Sequence, residues 1–360
     1  MHEAFLLSRA LLKLGTEDED LTGDLSAATI TADGSLWLAS DEMQSIERLA
    51  PIEPYVFGER QNFHLADYVD LESDEGEIDI EGMDADEHYL WLTGSHSLKR
   101  KKTKGKNMAK DITRLATVKP ELNRFLLARI PIVGQNLFAS CSHPSQPDMI
   151  LTAAAIQQRG ATNALTEALG DDDHLGAFLS IPLGDKENGF NIEGLAVRGN
   201  HVFLGLRGPV MDGWAIILEL ELAEEEPGVL TLQQSKGWQR PYRKHFLDLD
   251  GLGIRELLLH NDDLLILAGP TMKVEGAMKL FRMSDALNHD DDSLSSREIG
   301  DLELLFVLPF TLGHDHAEGL ACLPCLNEPD ALLVVYDSPN PLRMVGKTAL
   351  FGDIFRLPAA

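Results

Sequence analysis

Residues 191–208, NIEGLAVRGNHVFLGLRG, set one carboxylate, Glu193, between apolar positions and follow it with glycine. A charge at the centre of so apolar a strand needs a partner, because an isolated carboxylate is costly to bury. The pattern recurs. DIEGMDADEHYLWLTGSHS begins in the same way at Asp79, and HAEGLA does so at His316.

With the glutamate as origin, four units are anchored at Glu81, Glu193, Glu256 (in GIRELLLHNDDLLILAGP) and Glu318. Each runs through a polar turn into an apolar strand. The N-terminal LSAATITADGSLWLASDE fits the same frame, since Trp37 and Trp91 are 54 residues apart and that offset sets Ala27 opposite Glu81. The interval of 112 residues between Glu81 and Glu193 is twice the usual one, so a degenerate unit is expected near Asn136, in NLFASCSHPSQPDMILTAAA. Four short antiparallel strands per unit, repeated, are the pattern of a β-propeller. The expected fold is all-β, one domain over residues 1–360, a six-bladed β-propeller whose last blade is completed by a strand near Ala4–Ser8. A five-bladed ring in which residues 136–175 are an insertion stays open, as does a pair of β-sandwiches.

The chain has 360 residues, 44% of them hydrophobic, and a formal charge of −27. Such a field repels nucleic acid and anionic membranes, and it draws cations. No apolar run is long enough to span a bilayer, and MHEAFLLSRALLKLG lacks the form of a signal peptide, so a cytoplasmic location is expected. The three cysteines, Cys141, Cys322 and Cys325, cannot build a disulfide framework and are expected to be buried strand residues. No phosphate-binding glycine loop, dinucleotide fingerprint or GxSxG elbow is present, which argues against a nucleotide cofactor and serine hydrolase chemistry.

Taken together, IEGM, IEGL, AEGL, WLTGSHS and GLRGP resemble a bacterial propeller family of unknown function, related to the phytase-like esterase propellers, from about Asp24 to Leu357. The resemblance implies a propeller and a loose kinship to phosphoesterases. The absence of a glutamate at Ala27 and Asn136 departs from a symmetric ring of carboxylates.

Innermost strands of a propeller line its channel, so Asp79 and Glu81 share a side, and Glu81, Glu193, Glu256 and Glu318 converge at one mouth. Like charges that close need compensation. A hard divalent metal such as calcium, arginines (Arg207 or Arg255), or neighbouring strand amides could each supply it, and the residue pattern leaves all three open. His96 and the HDH stretch with His314, Asp315 and His316 are candidates for proton transfer or ligation. The resulting expectation is a metal held by the four glutamates and a small anionic ligand bound near Arg207, Arg255 and His316. For an enzyme, metal-assisted phosphoester hydrolysis with Glu193 or His96 activating water comes first; a protein-binding scaffold is the alternative. The run KRKKTKGKNMAK, residues 99–110, holds seven of the 31 basic residues and is expected as a loop on the rim.

Overall fold

The computed structural model describes residues 3–17, 19–73, 76–309 and 311–359. Twenty of its strands form five antiparallel runs of four, some of them joined at their edges by further, parallel pairs. Their first strands are β1 (Leu25–Ile30), β2 (Ile80–Ala85), β3 (Asn191–Arg198), β4 (Gly253–His260) and β5 (His316–Cys322). Each pairs with the strand that follows it: Leu36–Ser40, Tyr89–Gly94, His201–Gly208, Asp263–Gly269 and Ala331–Asp337. The last sheet takes its fourth strand from the N-terminus: Leu6–Lys13 lies antiparallel to Ala349–Arg356, with Arg9 opposite Asp353.

The second strands are nearly continuous in apolar residues because both of their faces are covered. Along LWLAS, Leu36 and Leu38 enter one core, while Trp37 and Ala39 enter the next. Phe203 and Leu204 divide in the same manner between the cores on either side of the third sheet. Period-2 alternation thus separates two cores here, where in a one-faced sheet it would separate core from solvent. Five hydrophobic clusters result, one between each pair of neighbouring sheets, the fifth joining Leu333 and Ile354 to Leu36 and Leu38. The five first strands also touch in cyclic order, β1 to β2, β2 to β3, β3 to β4, β4 to β5 and β5 to β1. This propeller-like arrangement makes each large core residue costly to remove. Trp91→Ala is expected to lower stability by about 3–5 kcal/mol, read from a urea melt.

A sixth unit near Asn136 is not found among the described residues. Asn136–Leu137 folds back on Ile132–Val133, and Ser140–His143 pairs only with Gln146–Thr152. That hairpin exposes Met149 and Ile150. It has two strands and pairs with no further strand among the described residues, and it buries Leu151 but no continuous apolar face. The segment to Phe190 adds two short helices, Ala164–Ala168 and Gly176–Ser180. The cysteines differ from expectation as well: only Cys325 is buried, Cys141 is half-buried, and Cys322 is exposed at the end of β5. No helix among the described residues is long and apolar enough to cross a membrane.

The basic run belongs to a longer excursion between the second and third strands of the second sheet. It contains a short ribbon, Leu98–Arg100 with Val118–Pro120, and the helix α1 (Met108–Leu115), capped by the Asn107 side chain, which accepts from Lys110 N.

Candidate functional site

In every first strand one residue is skipped in the pairing: Ser26, Glu81, Glu193, Arg255 and Glu318. Such bulges re-aim a side chain. All five line the same cavity, of about 920 Å³. The glycine that follows three of them has a separate reason. A Cβ on Gly194 would lie 2.7 Å from Leu257 Cγ, and one on Gly82 would lie 2.8 Å from Glu193 O, so glycine lets the neighbouring first strand approach.

The sequence frame is therefore one residue out in two units. Arg255, not Glu256, is the counterpart of Glu193, and Ser26, not Ala27, is the counterpart of Glu81. In the first unit the turn before the second strand is one residue longer than in the second unit, so the tryptophan offset misplaces the bulge. Glu256 does not line the cavity. It accepts hydrogen bonds from Leu195 N at 3.2 Å and Leu257 N at 2.8 Å, and its burial pushes the carboxyl well above its ordinary range. This is the strand-amide role, shared by Asp84, which accepts from Val197 N at 2.8 Å.

The other carboxylates divide by partner. Glu193 receives Arg207 at 2.7 Å and Arg255 at 2.9 Å. Arg255 also pairs with Glu318, its Nε 3.2 Å from Oε2. Arg124 donates to Asp79 at 3.0 Å and to Glu77 at 3.1 Å. Three arginines, with Lys99 on Glu77, thus compensate Glu193, Glu318, Asp79 and Glu77 in a charge-assisted network. Asp41 and Glu81 have no ion-pair partner among the described residues.

Oxygens of Asp41, Asp79 and Glu81 lie within 4.8 Å of one another, and so do those of Glu81, Glu193 and Glu318. Burial, then the neighbouring Asp79, lifts Asp41 to about 8, and its Oδ1 is buried without a hydrogen-bond partner. Burial, opposed by Arg124, lifts Asp79 to about 6. Burial and the charge of Glu193 hold Glu81 well above the usual carboxylate range. Asp41, Ser26 and Arg124 were missed by sequence reasoning. Asp41 had a signal: it follows LWLAS as Ser95 follows LWLTG.

His96 is not a cavity residue. Asn163 Nδ2 donates to its Nε2 at 2.7 Å, its Nδ1 donates to Gly94 O at 2.9 Å, and burial pushes the ring down to about 4. Both nitrogens are occupied and the ring is held neutral, so no base remains for water. The HDH stretch separates: Asp315 accepts from Arg343 at 2.7 Å, His314 lies outside the cavity lining, and only His316 reaches the rim. There Asp337, foremost, and Glu275 hold His316 above its usual value. Lys99–Thr103, Lys186 and Lys273 complete a basic rim over the acidic floor.

The chain matches the family described as "Protein of unknown function (DUF3616)" over residues 24–353, and it belongs to that family. No curated protein matches it significantly. Among solved structures it is similar to the PQQ-bound aldose sugar dehydrogenase of Streptomyces coelicolor, with 10% identity, TM-score 0.37, and 98% of this chain and 99% of that one covered. It is also similar to virginiamycin B lyase from Staphylococcus aureus, with 11% identity, TM-score 0.34, and 92% of this chain and 68% of that one covered. The periplasmic gluconolactonase of Pseudomonas aeruginosa has 11% identity and TM-score 0.32, with 99% of each chain covered. At these identities and scores none of them assigns a residue or an activity to this chain.

Proposed function

We propose that the five sheets are the blades of a closed ring and that its channel mouth binds a divalent cation through Asp41, Asp79 and Glu81, with a small anionic ligand above it. The observation that carries this reading is the pair Asp41 and Glu81. Both line the cavity with no ion-pair partner among the described residues, their oxygens lie within 4.8 Å of each other and of Asp79, and a dication matches their combined charge. Hard cations such as calcium take clustered carboxylate oxygens. The expected set is accordingly narrowed: Glu256 drops out, and Glu193 and Glu318 stay in the wall with Arg207 and Arg255.

A bound cation would supply polarisation of a phosphoryl oxygen. Lys101, Lys102 and Lys273 would draw the anion to the rim, and His316, biased toward its protonated form, is the proton donor there. Phosphoester hydrolysis is therefore the first reaction class to screen. The scaffold alternative is favoured by apolar residues on the same rim, Met272 at 50% and Val274 at 59% exposure.

The test is elemental analysis of the purified protein, joined to melting curves with calcium, magnesium, manganese and a chelator. One divalent ion per chain is expected, with about 2.7 kcal/mol of added stability at a hundredfold excess over Kd. Glu81→Gln and Asp41→Asn should abolish both effects. No ion and no shift in the wild type would remove the reading.

A further inference from the structure

Residues 99–119 hold nine basic side chains and one acid in a chain whose formal charge is −27. Some of these bases are engaged: Lys99 pairs with Glu77, Arg100 with Glu187, and Lys119 with Glu121. Lys104, Lys106 and Lys110 have no ion pair among the described residues. Between and beside them α1 buries none of its residues. Met108, Ile112 and Leu115 form one stripe on it at helical spacing and are 81%, 62% and 52% exposed.

We infer that this face of the protein docks on an anionic lipid surface through α1 and the lysines around it. An amphipathic helix with apolar residues on one side and lysines flanking them lies in a bilayer interface. Each lysine near anionic headgroups contributes about 1 kcal/mol. The acids elsewhere on the chain do not cancel this attraction, because charges separated by more than about 8 Å are screened at physiological salt. Two observations favour a lipid surface over an acidic peptide. The stripe stands on a helix none of whose residues is buried. The other exposed apolar residues at the edge of the cavity, Met272 and Val274, come from a different loop. Such scattered residues can enter a fluid interface together without shape complementarity. Leu115 and Lys101–Lys102 also line the cavity, so docking here brings the channel mouth to the headgroups. The inference is independent of the cation reading, since Lys104, Lys106, Lys110, Met108 and Ile112 do not line the cavity.

The experiment is co-sedimentation of the full chain with vesicles of phosphatidylcholine alone and of phosphatidylcholine with phosphatidylglycerol. The wild type should pellet only with the anionic vesicles, and high salt should release it. Replacing Lys104, Lys106 and Lys110 together by Gln should weaken binding roughly a hundredfold. Replacing Met108 and Ile112 by Ser should weaken it at least about tenfold. All five side chains lie on an exposed helix or its loop, so unchanged melting curves will show that the variants fold. A wild type that stays in the supernatant with both vesicles overturns the inference, as does a triple lysine variant that binds like the wild type. Binding to polyglutamate in place of vesicles overturns it in favour of an acidic protein partner.

Discussion

Between about pH 6.5 and pH 8 the cation-free protein is expected to lose stability. Asp41 has an ordinary value of 3.8 and stands at about 8 in the folded chain, so the folded state keeps a proton that the unfolded state has released. A state that binds more protons is weakened as pH rises, by about 1.4 kcal/mol per pH unit for one such group. Its favourable contribution is largest at low pH and fades as pH climbs through the folded value. Asp84, lifted to about 7 by burial, acts in the same direction, and so does His316, which is held above its usual value. His96 acts in the opposite direction, because it is buried neutral and its contribution is lost on acidification, but only below about 6.5. Asp172, held near 2 in the folded chain, also contributes nothing to the slope in this window. Melts at both pH values in chelator should therefore show the loss, and Asp41→Asn should show a shallower one. Saturating calcium should abolish the slope due to Asp41, since the bound carboxylate is then ionised in the folded chain as it is in the unfolded one throughout this window. An equal slope in wild type and Asp41→Asn would mean that Asp41 is solvated as an ordinary surface acid.

Arg255→Gln is expected to cost about 3–5 kcal/mol in chelator, because it leaves two buried carboxylates, Glu193 and Glu318, without a shared counter-charge. Arg207 still covers one oxygen of Glu193. The arginine occupies the position at which the second, third and fifth sheets carry glutamate, so its guanidinium serves as an internal cation. Its removal frees oxygens of Glu193 and Glu318, which lie with an oxygen of Glu81 within 4.8 Å of one another. Calcium should consequently restore part of the lost stability, and the ion count per chain should rise above that of the wild type. A melt unchanged by the substitution would mean that Arg255 does not neutralise the ring. A loss that calcium leaves untouched would place the effect in packing.

Part of what is local was legible. The repeat, the all-β character and the order of strands follow from short-range signals, namely alternation along LWLAS or VFLGL and the turn residues between strands. Two features depended on longer-range relations. Whether 136–155 made a blade depended on pairing with further strands, which no local pattern reports, and the hairpin there has none among the described residues. Which residue faces the channel depended on a bulge, and a shift of one residue exchanges Arg255 for Glu256. His96 shows the same limit: its neighbours Asn163 and Phe125 come from distant segments and decide that it is buried and neutral.

The sequence by itself therefore determined a repeated four-stranded pattern, acids on its first strands and a basic excursion between two of the later ones, because each is written in contiguous residues. The tertiary structure alone decided which carboxylates meet arginines and which do not. Asp41, Glu81 and Arg255 come from three different sheets, and charge compensation is a matter of ångströms in space, to which spacing along the chain gives no access.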